Sequence, residues 1–247
     1  MSDLGLLTYG LISFFVSIAS GIAGGGGGFV TTPLAIFLGL SPAQSIAAGK
    51  FGGFASALGT MRSLKGHKSV DKKLFLTLLI AAAAIGIVAP FIISSIDPSL
   101  YKNFIGILLI TVSILMLKSK ITQEKIIVAG KRYYLGIGSV AVGYLMVALF
   151  SSGVGVLINI AMMRILGMDA LDSMLLKRSI SLVMNGFLII GVTVAGLVIW
   201  NVVIIGVIAS MCGAYIGGKI AVKKGAPFVS KILALLALIS GLGLILI

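Results

Sequence analysis

Two basic residues stand at matching depths in two apolar segments of the sequence. Lys50 lies nine residues after Ser41, and Arg178 lies nine residues after Asp169. Ser and Asp are favourable helix N-caps, so at 1.5 Å per residue each cation lies about 13 Å into its helix, near the middle of a bilayer. A charge at that depth normally faces a cavity, a partner or a substrate, because burying it in lipid costs at least about 2.5 kcal/mol. The spacing therefore predicts a cationic site at the membrane midplane.

Carboxylates that could neutralise these cations are scarce. The chain has six Asp and Glu against nineteen Lys and Arg. Asp172 is either a capping-box acid after Asp169 or a protonatable coupling group inside the membrane. We therefore predict that an external anion, rather than an internal ion pair, balances Lys50 and Arg178. Lys177 points about 100° away from Arg178 around the helix, and the sequence leaves open which of the two faces the site.

Two interruptions rich in small residues precede short apolar elements. The first, Gly24 to Gly28, is five glycines long, and each glycine costs about 1 kcal/mol relative to Ala inside a helix. A broken helix at membrane depth is tolerated where its backbone lines a cavity, and the free N–H groups at a helix start can bind an anion. Close helix packing is the alternative explanation. Together with the two cations, the predicted substrate-binding residues are Gly25, Gly26, Gly27, Gly28, Thr31, Ser151, Ser152, Gly153 and Asn159.

The composition assigns the chain to the membrane. Of its 247 residues 59% are hydrophobic and 10% are charged, whereas soluble domains carry about 25% charged residues. Apolar elements occur at 5–23, 29–39, 42–60, 73–95, 100–118, 133–150, 154–167, 170–196, 199–221 and 227–247. A crossing needs about 20 helical residues, so 29–39 and 154–167 are expected to be half-helices. We predict an all-α, polytopic transmembrane bundle with broken helices at its centre.

The sequence matches itself at an offset of 128 positions. Leu38 to Ser41 aligns with Leu166 to Asp169. The same offset pairs Gly25 with Gly153, Gly27 with Gly155, Thr31 with Asn159 and Lys50 with Arg178. We predict a first repeat at 1–118, a basic cytoplasmic linker at 119–132 and a second repeat at 133–247. Because each repeat holds five elements, an odd number, the second runs opposite to the first, as in many secondary transporters.

The positions of the basic residues predict the orientation of the chain in the membrane. The stretches 61–73, 118–132 and 219–231 hold fourteen of the nineteen cations, and the positive-inside rule makes all three cytoplasmic. Threading ten elements through the bilayer then leaves both termini outside. A net charge of +13 would suggest a nucleic-acid partner for a soluble protein, but cations between apolar runs indicate a lipid bilayer as the partner instead.

The sequence argues against catalysis. Its one histidine, His67, lies in a basic loop, and its one cysteine, Cys212, lies in an apolar run. These residues supply neither a metal cluster nor a catalytic dyad or triad, so we expect no enzyme, no cofactor and no metal. The cationic site instead predicts a transporter of a small anion. A passive anion channel, which would share that site, is the alternative.

Residues 24–33, Gly-Gly-Gly-Gly-Gly-Phe-Val-Thr-Thr-Pro, followed by 38–53, resemble the TauE/SafE family of sulfite and organosulfonate exporters, also called toluene sulfonate uptake permeases. The second half departs from the family pattern, because its break lacks the usual glycine run. The resemblance implies transport of small sulfur-containing or organic anions. From the cationic midplane site and the inverted repeat we predict a secondary transporter that moves sulfite, a sulfonate or a related oxyanion by alternating access. We expect the plasma (inner) membrane of a prokaryote as the location. Exact substrate, direction, coupling ion and assembly as a homo-oligomer are left open.

Overall fold

All the regular secondary structure in the described part of the chain is α-helical. The computed structural model describes residues 2–25, 27–63, 72–93, 130–149 and 155–225, with isolated positions at 107, 110, 111, 114 and between 228 and 242. Its helices are α1 (Asp3–Ala23), α2 (Gly28–Phe37), α3 (Pro42–Ser63), α4 (Lys72–Ile93), α5 (Lys131–Leu149), α6 (Gly155–Arg164), α7 (Ala170–Val194) and α8 (Trp200–Lys224). The predicted all-α bundle is confirmed. The predicted elements at 100–118 and 227–247 lie largely outside the described residues.

Helix lengths fit a membrane with interruptions. Five helices, α1, α4, α5, α7 and α8, are long and apolar enough to cross a bilayer. The elements predicted as half-helices are α2 and α6, with ten residues each, or about 15 Å of helix. This is half of the apolar thickness of a bilayer, so each short helix reaches roughly its middle.

The helices that follow the short elements begin at the predicted caps. The Ser41 hydroxyl accepts from the Gln44 amide at 3.2 Å, and the Gln44 side chain accepts from the Ser41 amide at 3.0 Å, which is a capping box. At α7 the Asp169 carboxylate accepts from the Asp172 amide at 2.8 Å. Capping therefore fixes the start of both α3 and α7, and with it the depth of each basic residue.

Helix α8 packs tightly between α1 and α3. Gly213 and Gly217 face backbone carbonyl oxygens of Phe14 and Ile18 on α1, where an added Cβ would collide. Gly59 on α3 faces the backbone of α8 in the same way. Small residues that let helix backbones touch are the usual means of association in lipid, where the hydrophobic effect does not drive helices together.

The main packing pairs of helices form a regular pattern. Helix α1 packs on α8 as α5 packs on α4, and α3 packs on α8 as α7 packs on α4. Helix α2 contacts α1 and α3 as α6 contacts α5 and α7. Helices α3 and α7 pack against each other at the centre. Exchanging α1–α4 with α5–α8 therefore maps the α3–α7 pair onto itself and each of the other pairs onto another one.

Candidate functional site

The two predicted breaks lie side by side. Helix α1 ends at Gly24 in the left-handed conformation (φ +71°), and α2 begins four residues later. At the start of the other short helix, the Asn159 amide donates to the Ala23 carbonyl at 2.8 Å. A Cβ on Gly25 would lie 3.5 Å from the carbonyl carbon of Gly155. Elements from distant parts of the sequence thus converge on one point.

A small polar cavity opens beside this point. It is bordered by α1, α2, α3, α7 and α8, together with Val147 at the end of α5. Glycines line one part of the cavity, and uncharged polar side chains line another: Tyr9, Ser17, Ser20, Thr31, Ser56, Ser181, Asn185 and Ser210. Hydroxyl and amide groups in such a lining can donate hydrogen bonds to a polar solute inside an otherwise apolar bundle.

Two adjacent cations, Lys177 and Arg178, both line the cavity. They are almost fully buried, with 4% and 5% of their surface exposed. The Lys177 ammonium donates to the Gly24 carbonyl, and Arg178 Nη2 donates to the Ser20 carbonyl at 2.7 Å and to the Ser20 hydroxyl at 3.1 Å. These carbonyls lie at the C-terminal end of α1, where the helix dipole favours cations. The Ser20 carbonyl also accepts from the backbone amides of Gly24 and Gly25.

The glycines of the two breaks make room for Lys177. A Cβ on Gly25 would collide with the Lys177 ammonium nitrogen, and a Cβ on Gly155 would come within 2.6 Å of it. The ammonium group therefore sits between the two breaks, where a side chain at either glycine would force it to move. The glycines thus leave space for the Lys177 ammonium group, in addition to any contact between their backbone and a solute.

Lys50 occupies a different place. It is 2% exposed, and its ammonium donates to the carbonyls of Val147 at 2.8 Å and Ala148 at 3.0 Å, in the last turn of α5. Among the described residues that line the cavity, Lys50 is absent. Lys50 thus binds the C-terminal end of α5, and Arg178 binds that of α1. Two of the carbonyls that they bind, those of Ala148 and Ser20, are 128 residues apart in the sequence.

The buried basic side chains have no carboxylate partner among the described residues. Within the described part of the chain, Lys50, Lys177 and Arg178 donate to backbone carbonyls and a hydroxyl, and no carboxylate forms an ion pair with them. Arg178 Nε and the Ser56 hydroxyl are buried there without a hydrogen-bond partner among the described residues, although both residues line the cavity. Buried polar groups are normally satisfied, so these two donors are available to a ligand.

The family model for the sulfite exporter TauE/SafE matches residues 9–244. This chain belongs to the TauE/SafE family. A protein of Haemophilus influenzae named "Probable membrane transporter protein" is 22% identical over 233 residues, which cover 92% of this chain and 89% of that protein. No solved structure matches the chain. Family and apolar helices together identify a multi-pass membrane protein of a transporter family.

The predicted site residues of this TauE/SafE protein fall into three groups. Gly25, Gly27, Gly28, Thr31 and Arg178 line the cavity. Among the described residues, those that line the cavity do not include Lys50, Asn159 and Asp172. Lys50 and Asn159 bind helix-end carbonyls, and Asp172 lies in the first turn of α7. Gly26, Ser151, Ser152 and Gly153 lie outside the described residues.

Sequence reasoning missed part of the lining. Lys177 was left undecided against Arg178, and the structure places both at the cavity. The prediction also lacked the α1 residues Ser17 and Ser20, which line the cavity. In the sequence, Ser13, Ser17 and Ser20 recur every three to four residues in an otherwise apolar segment. That spacing places them on one helical face, and it is the signal that could have found them.

Proposed function

We propose that this transporter binds a small oxyanion, such as sulfite or a sulfonate, in the cavity between the broken helices and moves it by alternating access. The observation that carries the proposal is the pair Lys177 and Arg178, buried side by side at a polar cavity with no paired carboxylate in the described part of the chain. A charged group inside a bilayer needs a counter-charge or a function. An anion from solution supplies the counter-charge.

The proposed binding mode uses the groups that the protein leaves free. Arg178 already spends Nη2 on Ser20, and its Nε is left for an anionic oxygen. The Ser56 hydroxyl offers a second donor, and Gly27 and Gly28 offer backbone amides at the start of α2, where helical partners are lacking. Hydrogen bonds from charged donors are the strong ones, so oxyanions are favoured over cations and neutral solutes.

Alternating access rests on the two-repeat organisation, 1–118 and 133–247, which we propose to be inverted. Two observations support it. The helix packing pairs exchange when the halves are exchanged. Lys50 binds the carbonyl of Ala148, and Arg178 binds that of Ser20, so equivalent cations bind equivalent carbonyls across the halves. Inverted repeats that exchange conformations open a central site to one side and then to the other.

The orientation belongs to the same proposal. The basic stretches 61–73, 118–132 and 219–231 lie in the cytoplasm, and both termini lie outside the plasma membrane of a prokaryotic cell. Asp172 as a coupling group stays a prediction. It lies in the first turn of α7, one turn after the N-cap Asp169.

A binding screen followed by a flux assay tests the proposal. Purified protein is heated with sulfite, sulfate, thiosulfate, sulfonates or carboxylates, with neutral sugars and metal chlorides as controls. We expect one class of oxyanion to raise the melting temperature in a saturable manner. Vesicles that contain the protein should then take up that anion with saturation. A protein that no anion stabilises, or that moves anions only as an unsaturable current, would refute the proposed transporter.

A further inference from the structure

Lys50 and Arg178 make similar hydrogen bonds to a helix end, but their surroundings differ. Lys50 and Arg178 are 128 residues apart, and each donates to the last turn of the first helix of the other half. Lys50 is then enclosed, with its ammonium shared between two carbonyls. Arg178 borders a cavity and keeps Nε unpartnered among the described residues.

The difference extends to the side chains around each cation. With the exception of Thr31, whose counterpart is Asn159, the polar residues that line the cavity together with Arg178 have apolar or glycine counterparts at the 128-residue offset. The pairs are Ser17 with Leu145, Ser20 with Ala148, Ser56 with Met184, Asn185 with Ala57, Ser210 with Ala82 and Lys177 with Gly49. Apart from the Thr31–Asn159 pair, the cavity-lining members of these pairs are polar and their counterparts are not.

Four of these six counterparts are packed in the interior, whereas Leu145 is 36% exposed and Gly49 lines the cavity itself. Ala57, Ala82, Ala148 and Met184 are fully buried, with 0% exposure. Protein interiors are close-packed, and apolar side chains there leave neither space nor hydrogen bonds for an oxyanion. The symmetry that relates the two cations therefore does not produce two equivalent sites.

We infer that the anion is bound at one asymmetric site by Lys177 and Arg178, and that Lys50 is a structural anchor that ends α5 and does not touch the anion. This inference rests on the proposed function, because it assigns the charges within the proposed site. It also revises the prediction from sequence that Lys50 and Arg178 share the anion. Lys177, for which the sequence did not decide whether it faces the site, replaces Lys50 as the second cation of the proposed anion site.

The two buried lysines provide a matched test. Lys50→Met and Lys177→Met each remove one ammonium group that binds carbonyls at the end of a helix, and each keeps an unbranched apolar side chain. Both variants should lose thermal stability without anion. With sulfite as the probe, the apparent Kd of Lys50→Met should stay within about twofold of wild type, whereas Lys177→Met should bind at least about tenfold more weakly, as expected for a lost charged contact.

Stoichiometry gives a second readout that needs no variant. Equilibrium dialysis of the intact protein with labelled sulfite should saturate at one anion per chain. Binding of two anions per chain, or equal losses of affinity in Lys50→Met and Lys177→Met, would overturn the inference.

Two further arms keep the outcomes apart. If Lys50→Met does not yield folded protein, Lys50→Gln removes the charge and keeps an amide that can donate to the same carbonyls, and the same comparison applies. If no oxyanion stabilises the wild-type protein, the proposed function fails. If oxyanions bind the wild-type protein and binding depends on Lys50 as much as on Lys177, only the assignment of charges fails.

Discussion

Arg178→Lys separates anchoring the helix end from binding the anion. Arg178 uses Nη2 to bind the end of α1, and its Nε is the free donor at the cavity. A lysine keeps the positive charge and can reach a helix-end carbonyl, as Lys50 does at the equivalent position. Its three N–H donors share one nitrogen, so a lysine lacks the separate Nε and Nη2 donors that a planar guanidinium holds in a fixed geometry.

The expected loss follows from one charged hydrogen bond. Such a bond contributes about 1.5 to 3 kcal/mol, so Kd should rise about 10- to 150-fold. At an anion concentration 100 times the wild-type Kd, binding stabilises the folded wild-type protein by about 2.7 kcal/mol. A variant whose Kd is about 100-fold higher gains only about 0.4 kcal/mol at that concentration. The two cases are easily distinguished by thermal unfolding.

The assay is an anion titration followed by melting temperature, with Lys50→Arg as the reciprocal control. This control places arginine at the enclosed position and should leave the anion affinity near that of wild type. The melting temperature of Arg178→Lys without anion reports whether the helix end is still capped. Wild-type affinity in a folded Arg178→Lys variant would refute the role of the guanidinium as the anion ligand.

Three further predictions concern packing and capping. Gly217→Ala pushes a Cβ into a backbone carbonyl of α1 and should lower the unfolding free energy by about 1 to 3 kcal/mol. The control is Gly138→Ala, whose Cβ meets no heavy atom of the described residues within 4 Å. This control should raise the unfolding free energy by about 0.5 to 1 kcal/mol. Gly25→Ala displaces the ammonium of Lys177 and should weaken anion binding in the titration, and unchanged binding would contradict the close fit. Asp169→Ala removes the cap of α7 and should cost about 0.5 to 2 kcal/mol in thermal unfolding while anion affinity is kept; a large loss of affinity would show that the cap acts on the site.

The architecture could be predicted because its determinants are local. Consecutive glycines cannot continue a helix at low cost, and the segments that follow them are too short to span a membrane. The predicted elements 29–39 and 154–167 correspond to α2 (Gly28–Phe37) and α6 (Gly155–Arg164) within a few residues. The caps at Ser41 and Asp169 were equally readable, because a capping side chain and its partner lie three residues apart.

The site was only partly predictable, because its remaining determinants depend on helix rotation and neighbours. Depth along a helix follows from counting residues, so Lys50 and Arg178 look equivalent in the sequence. Which of two adjacent cations reaches a cavity depends on how the helix packs and on the length of a flexible side chain, as Lys177 shows. The contrast between Ser56 and Met184 was visible in the sequence, but its meaning required knowing that one of them faces a cavity.

The crossed bonds of Lys50 and Arg178 make each half of the chain dependent on the other. A half made alone would leave its buried cation without the helix-end carbonyls that it binds in the other half. Fragments cut within 119–132 should therefore be degraded when produced singly and should reassemble when produced together. On this view a duplicated ancestor would have worked as a pair of oppositely inserted copies, and fusion into one polypeptide later allowed the two copies to diverge.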